Sequence, residues 1–134
     1  MPNRVYPKYK QAAMSGGANT NLDTGTVRSA LVDLGVYTYS DAHEFLSSVS
    51  SAVVGTPQEI LNTTVLNGLF DGDNVSYPAV TGNSVEAIVI FIDTGVAATS
   101  RLFGFLDTGV TGLPVTPNGG AINITWNASG IIQL

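Results

Sequence analysis

The run Val85-Glu-Ala-Ile-Val-Ile-Phe-Ile92 constrains the fold more than any other part of this sequence. From Ala87 to Ile92 every residue is apolar, and most are β-branched or aromatic. Six such residues have the length of a strand, and a strand without polar alternation is one buried on both faces. That strand needs a layer of protein above it and another below, so the rest of the chain has to supply the cover. The run is also the longest apolar stretch in the sequence. It falls far short of the roughly 20 residues needed to cross a bilayer.

Further strand patterns recur along the chain. VRSALVDLGVYTY (27–39) holds a β-rich apolar stretch, expected to form the first main strand. EILNTTVL (59–66), NVSYPAV (74–80) and SRLFGFL (100–106) read as strands, with Asp71-Gly72 as a turn between the first two. In INITW (122–126), Ile122, Ile124 and Trp126 share one face and Asn123 and Thr125 the other, which places Trp126 in the core. Asn127–Gly130 turns the chain into the closing IIQL. Two helices are expected. PKYKQAAMS (7–15) is closed by Gly16-Gly17, and SDAHEFLSSV carries Asp41 and Glu44 at capping-box spacing. The following SSAVVGTP reads as a loop. The sum is a mainly β chain: a single-domain antiparallel β-sandwich, jelly-roll or immunoglobulin-like, with one or two short helices near the N-terminus. Residues 1–15 are expected to be an N-terminal arm with room for a short helix, and residues 16–134 the sandwich domain.

Charge narrows the function. Charged residues make up 11% of the 134 positions, while Thr, Ser, Asn and Gly fill 50 of them. A surface so poor in charge has little electrostatic protection against association, which suits a protein that assembles. Net charge is −5, and residues 11–134 carry two basic side chains against ten acidic ones. Nucleic-acid binding is not expected, because neutralising phosphates needs a basic face. Cysteine is absent, so disulfides and thiolate metal sites are excluded. The N-terminus lacks the apolar core of a signal peptide, so the chain is expected to be soluble and made in a reducing compartment. MPNRVYPKYK concentrates Arg4, Lys8 and Lys10 with Tyr6 and Tyr9. It reads either as a frayed, solvated terminus or as an arm whose Arg4, Tyr6, Lys8, Tyr9 and Lys10 dock on a partner.

Asp-Thr-Gly occurs three times, at Asp23, Asp93 and Asp107, the last two inside a hexamer repeated fourteen residues apart. Aspartic proteases present their catalytic carboxylates on this tripeptide, but the dyad requires two carboxylates about 3 Å apart sharing one proton. A fourteen-residue repeat is too short to be half of such an enzyme. Asp opens turns, Gly accepts positive φ and Thr bonds locally, so the tripeptide reads as turn chemistry. No catalytic residue is expected. Asp71-Gly-Asp73-Asn74 has the look of a calcium loop without the EF-hand glycine and distal glutamate, and reads as a turn. His43 is the only histidine, so no histidine pair can hold a metal, and it is expected at the surface or as a cap. No metal or cofactor site is expected.

Residues 85–97 (VEAIVIFIDTGVA), then TSRLFGFLDTG, then TGLPVTPNGGAINITWNASGIIQL resemble a family of small virion structural proteins of tailed bacteriophages. The upstream SALVDLGVYTYSDAHEFLSSV is similar to that family's strand–helix opening, and Gly112–Gly120 is the most specific segment. The resemblance covers roughly residues 4–134. It implies a virion protein assembled in the host bacterial cytoplasm, first of all a head decoration (cement) protein on the capsid lattice. Its implied partners are the major capsid protein or other virion proteins, and itself as a homotrimer or homodimer, with no nucleic acid and no membrane. A neck, collar or tail-fibre component is the alternative. A receptor- or carbohydrate-binding module using Tyr37, Tyr39 and Tyr77 is a further one.

Overall fold

A computed structural model describes residues 3–134 of the protein. Among them the chain forms β1 (Arg4–Val5), α1 (Pro7–Met14), β2 (Val27–Val32), β3 (Val53–Glu59), β4 (Thr64–Leu66), β5 (Leu69–Asp71), β6 (Val75–Tyr77), β7 (Ala87–Ile92), β8 (Arg101–Leu106), β9 (Ile122–Ile124) and β10 (Ile132–Gln133). All pairing within the sheets is antiparallel. A five-stranded sheet runs β1-β8-β7-β2-β3, beside a three-stranded sheet β10-β5-β4 and a two-stranded sheet β6-β9. The fold is mainly β and is a β-sandwich, with one short helix near the N-terminus.

Register shows how the layers stack. Ser29, Ile90 and Gly104 lie directly opposite one another across β2, β7 and β8, so they share a face. Ser29 bonds the Tyr77 hydroxyl of β6, and a Cβ on Gly104 would collide with Cδ1 of Ile132 in β10. The two smaller sheets therefore cover this face. Ala30, Val89 and Phe105 form the row on the opposite face. There Phe105 meets the rings of Tyr37 and Tyr39, which come from the irregular segment after β2. With cover on both sides, every residue of β7 and β8 is buried. The β7–β8 ladder skips Phe103, whose ring meets Phe70 of β5 and Tyr9 of α1 edge-on. This bulge lets one aromatic side chain join the helix to the smaller sheet.

Three sequence expectations need correction. The segment 40–49 is not a two-turn helix, since only single 3₁₀ turns form at Leu46–Ser48 and Ser50–Ala52. Phe45 is extended and bridges Arg101, while the Leu46 N–H donates to Ser100 O at 2.8 Å and the Leu102 N–H to Glu44 O at 3.0 Å. The Glu44 carboxylate accepts from Arg101 Nη1 at 3.1 Å instead of reaching back to cap a helix. Pairing with β8 outbids a weak local helix. The expected loop after Ser50 contains most of β3, an edge strand in which Gly55 at φ +74° and Pro57 disguise the pattern. The turn expected at Asp71-Gly72 forms earlier, at Asn67-Gly68, where φ is +52° and +79°. Positive φ at both central residues is the type I′ hairpin geometry that Asn-Gly favours.

Candidate functional site

The N-terminal segment is built into the domain. β1 pairs with β8, Arg4 opposite Phe105 and Val5 opposite Gly104. Asn3 anchors the entry: its Oδ1 accepts from the N–H groups of Asp107 and Thr108 at 2.9 and 3.1 Å, and its Nδ2 donates to Thr108 O at 2.8 Å. Pro7 suits the first turn of α1, where the missing N–H costs nothing. Tyr9 and Ala12, three apart, form the inward stripe of that helix.

This arrangement divides the five residues expected to meet a partner. Tyr6 is 0% exposed, and its hydroxyl bonds Tyr37 Oη at 2.8 Å. Burial first, then the bond to Tyr37, pushes the Tyr6 phenol far above its ordinary pKa. Tyr9 is 5% exposed and donates to Thr20 O at 2.8 Å. Both rings are core, so neither offers area to a partner. Arg4 and Lys10 are exposed and line one cleft of about 400 Å³ with Pro7, Tyr39 and Asp41. Lys8 turns instead toward a smaller cleft beside Glu44 and Arg101. Neither lysine makes an ion pair among the described residues. All three arginines do: Arg4 with Asp41 at 3.5 Å, Arg28 with Asp93 at 2.8 Å and Arg101 with Glu44 at 3.1 Å.

The sequence placed Tyr39 in a carbohydrate-binding alternative and Asp41 in a capping box, but the structure brings both to Arg4, from 35 and 37 residues away along the chain. The guanidinium sits 5.1 Å from the Tyr39 ring centroid. Burial, followed by the nearby Asp41 carboxylate and against the pull of Arg4, pushes the Tyr39 phenol up to about 12. Among the described residues no group meets its buried hydroxyl at full hydrogen-bond geometry, although Asp41 and Arg4 lie close enough to shift it. No local pattern could have announced this, because only β1–β8 pairing brings Arg4 to Tyr39. His43 also departs from the expected cap. Its Nδ1 lies 2.8 Å from the Tyr37 hydroxyl, extending the Tyr6–Tyr37 link outward to a half-buried imidazole.

The repeated tripeptides are turns of two kinds. Asp93 Oδ1 accepts from the Gly95 N–H at 2.9 Å, and Gly95 adopts φ +87°. At the first copy the side chain that closes the turn belongs to Asn21, which accepts from the N–H groups of Asp23 and Thr24. Asp93 follows the end of β7 where Ile92 faces Arg101, whereas Asp107 follows the far end of β8, where Leu106 faces Ile88. At about 3.3 Å per residue the two carboxylates are held roughly 15 Å or more apart, so they cannot share a proton within one chain. Asp73 accepts from Asn62 Nδ2 at 2.6 Å and Asp71 from the Gly72 N–H at 2.9 Å. Among the described residues no three His, Asp or Glu side chains converge as a metal site would require, and no helix is long and apolar enough to cross a membrane.

Chemically, the Arg4–Lys10 cleft can receive a carboxylate beside an aromatic floor. Each exposed ion pair made there is worth at most about 1 kcal/mol, so such contacts matter when repeated. No protein-family model matches this chain, and no curated protein matches it.

Proposed function

We propose that the protein is a tailed-bacteriophage virion structural protein, a head decoration (cement) protein that binds the capsid lattice as a homo-oligomer. The observation that carries this reading is the resemblance of residues 85–134, whose specific segment Gly112–Gly120 leads into β9 and Trp126. The neutral surface supports it. A lattice contact made by Thr, Ser, Asn and Gly buries few ions and avoids their desolvation cost. Weak contacts then suffice, because linked copies engage at high effective concentration. Arg4 and Lys10, which share one cleft, are the basic groups on the proposed attachment side, facing carboxylates of the major capsid protein, with Lys8 on a neighbouring face.

Tyr37 and Tyr77 are buried, which removes two of the three aromatics that a carbohydrate-binding reading would have used. The test is a cryo-electron-microscopy map of the particle. Density for this chain repeated over the head lattice, in hundreds of copies, is expected. About a dozen copies confined to the neck or tail would replace the decoration role with the neck or collar alternative. Absence from the particle would overturn the virion reading.

A further inference from the structure

We infer that β4 is a self-pairing edge, through which two copies of this chain join their three-stranded sheets about a two-fold axis at Val65. The inference rests on the homo-oligomer part of the reading above, and it names the surface.

Natural sheets guard their edges with charge, proline, bulges or short strands. Both edges of the five-stranded sheet follow that rule. β1 is two residues long and carries Arg4, while β3 holds Gly55, Pro57 and Glu59 and shifts register against β2. The outer edge of β4 is short, three residues, but it carries no charge, proline or bulge. Thr64, Val65 and Leu66 are all exposed, and residues 60–70 contain no charged side chain.

Backbone geometry makes the edge self-complementary. Leu66 and Leu69 flank a two-residue turn, so they form the hydrogen-bonded pair that closes the hairpin. The next pair, Val65–Phe70, is then the non-hydrogen-bonded one, and the N–H and C=O of Val65 point away from β5. Two copies arranged antiparallel with Val65 opposite Val65 would exchange both bonds. Thr64 would face Leu66 of the second copy.

The side chains agree. Val65 shares a face with Phe70, which is 1% exposed, yet Val65 itself is 47% exposed because no strand lies beyond it. Pairing would build a continuous row Phe70–Val65–Val65–Phe70 across the axis. Leu66, 70% exposed on the other face, would gain a neighbour as well. The self-complementary register at Val65 selects a second copy as the occupant, and the lack of charge permits it. Two molecules of net charge −5 repel, and they meet most cheaply where neither carries an ion, as at residues 60–70.

Sedimentation equilibrium of the full chain, with amide hydrogen exchange at Val65, tests this. The expected result is a dimer-containing assembly in which Val65 exchange slows as protein concentration rises. Val65→Lys should weaken association at least tenfold, and Thr64→Lys, at an exposed position, should do the same if Val65→Lys disturbs folding. Undiminished association in both folded variants would overturn the inference. A monomeric parent would overturn it too, and if that parent still bound capsids in a Val65-dependent way, the edge would be assigned to a strand of another protein. Conversely, a Val65-dependent dimer that never enters particles would uphold the inference and remove the virion reading.

Discussion

Val89 and Val65 are the same residue in the same kind of structure, an antiparallel strand, and their fates are opposite. Val89 lies between Ala30 of β2 and Phe105 of β8, with Tyr37 and Tyr39 closing over Phe105. Val65 has Phe70 on one side and solvent on the other. The first is fully buried and the second half exposed. Side-chain hydrophobicity is identical in the two places, so burial here is set by the number of neighbouring strands and layers. The centre of the large sheet is finished within one chain, and the edge of the small sheet is not.

The hardest blow to that contrast is removal of residues 1–10. It strips β1 from β8 and deletes two buried aromatics, each worth about 3–5 kcal/mol, from a domain whose whole stability is about 5–15 kcal/mol. The truncated chain is expected not to fold, as judged by loss of amide dispersion in NMR spectra and of a cooperative melt. A melt close to the parent's would show that β8 needs no outer cover. Trp126→Ala comes next. Trp126 is 6% exposed and its Nε1 donates to Asp73 O at 2.8 Å. The loss expected in denaturant titration is about 3–5 kcal/mol, with the Asp73 carbonyl also left unpaired.

A matched pair sharpens the comparison directly. Val89→Thr buries a hydroxyl in an apolar layer and should cost about 1–3 kcal/mol, whereas Val65→Thr in dilute solution should stay within about 0.5 kcal/mol of the parent. Equal costs at both sites would mean that β4 is covered in the isolated chain. The smallest effect concerns Asp93, half-buried just beyond the end of β7. Burial raises the Asp93 carboxyl, but the Gly95 N–H, the Arg28 guanidinium and the Ser100 hydroxyl outweigh it and leave the pKa below its ordinary value. A depressed carboxyl stabilises the fold above about pH 4 and loses that contribution as pH falls through the folded-state value. The stability gap between the parent and Asp93→Asn should therefore narrow on acidification below about pH 4. A gap unchanged from about pH 6 to pH 2 would remove the ion pair from the account.

Strands whose neighbours are close in sequence, or whose composition is uniformly apolar, were legible from the sequence. β7, β8 and the alternating β9 fall where their residues placed them, and Trp126 is core as its alternation required. The helix of residues 7–15 was legible because Pro7 and Gly16 punctuate it. The segment 40–49 misled because its capping signal is local, while the partner that defeats it, Arg101, is 57 residues from Glu44. β3 was hidden by the glycine and proline that protect an edge. In the N-terminal segment the charges drew attention to an arm, although Tyr6, Tyr9 and Ala12 already carried helical spacing toward a core. Asn67-Gly68 was a readable hairpin signal, overshadowed by Asp71-Gly72 four residues later.

The pairing of β1 with β8 also sets an order of events in synthesis. β1 waits for a partner made about a hundred residues later, and Ile132, which packs against Gly104 of that partner, is made later still. Contacts of such long sequence separation form slowly, and the apolar central strands have no complete shelter until β10 has been made. This domain therefore cannot finish folding until Ile132 has been made. The uncharged β4 edge emerges before β7 and β8 of the large sheet have been made, so crowding of neighbouring nascent chains is the moment of greatest exposure to mispairing.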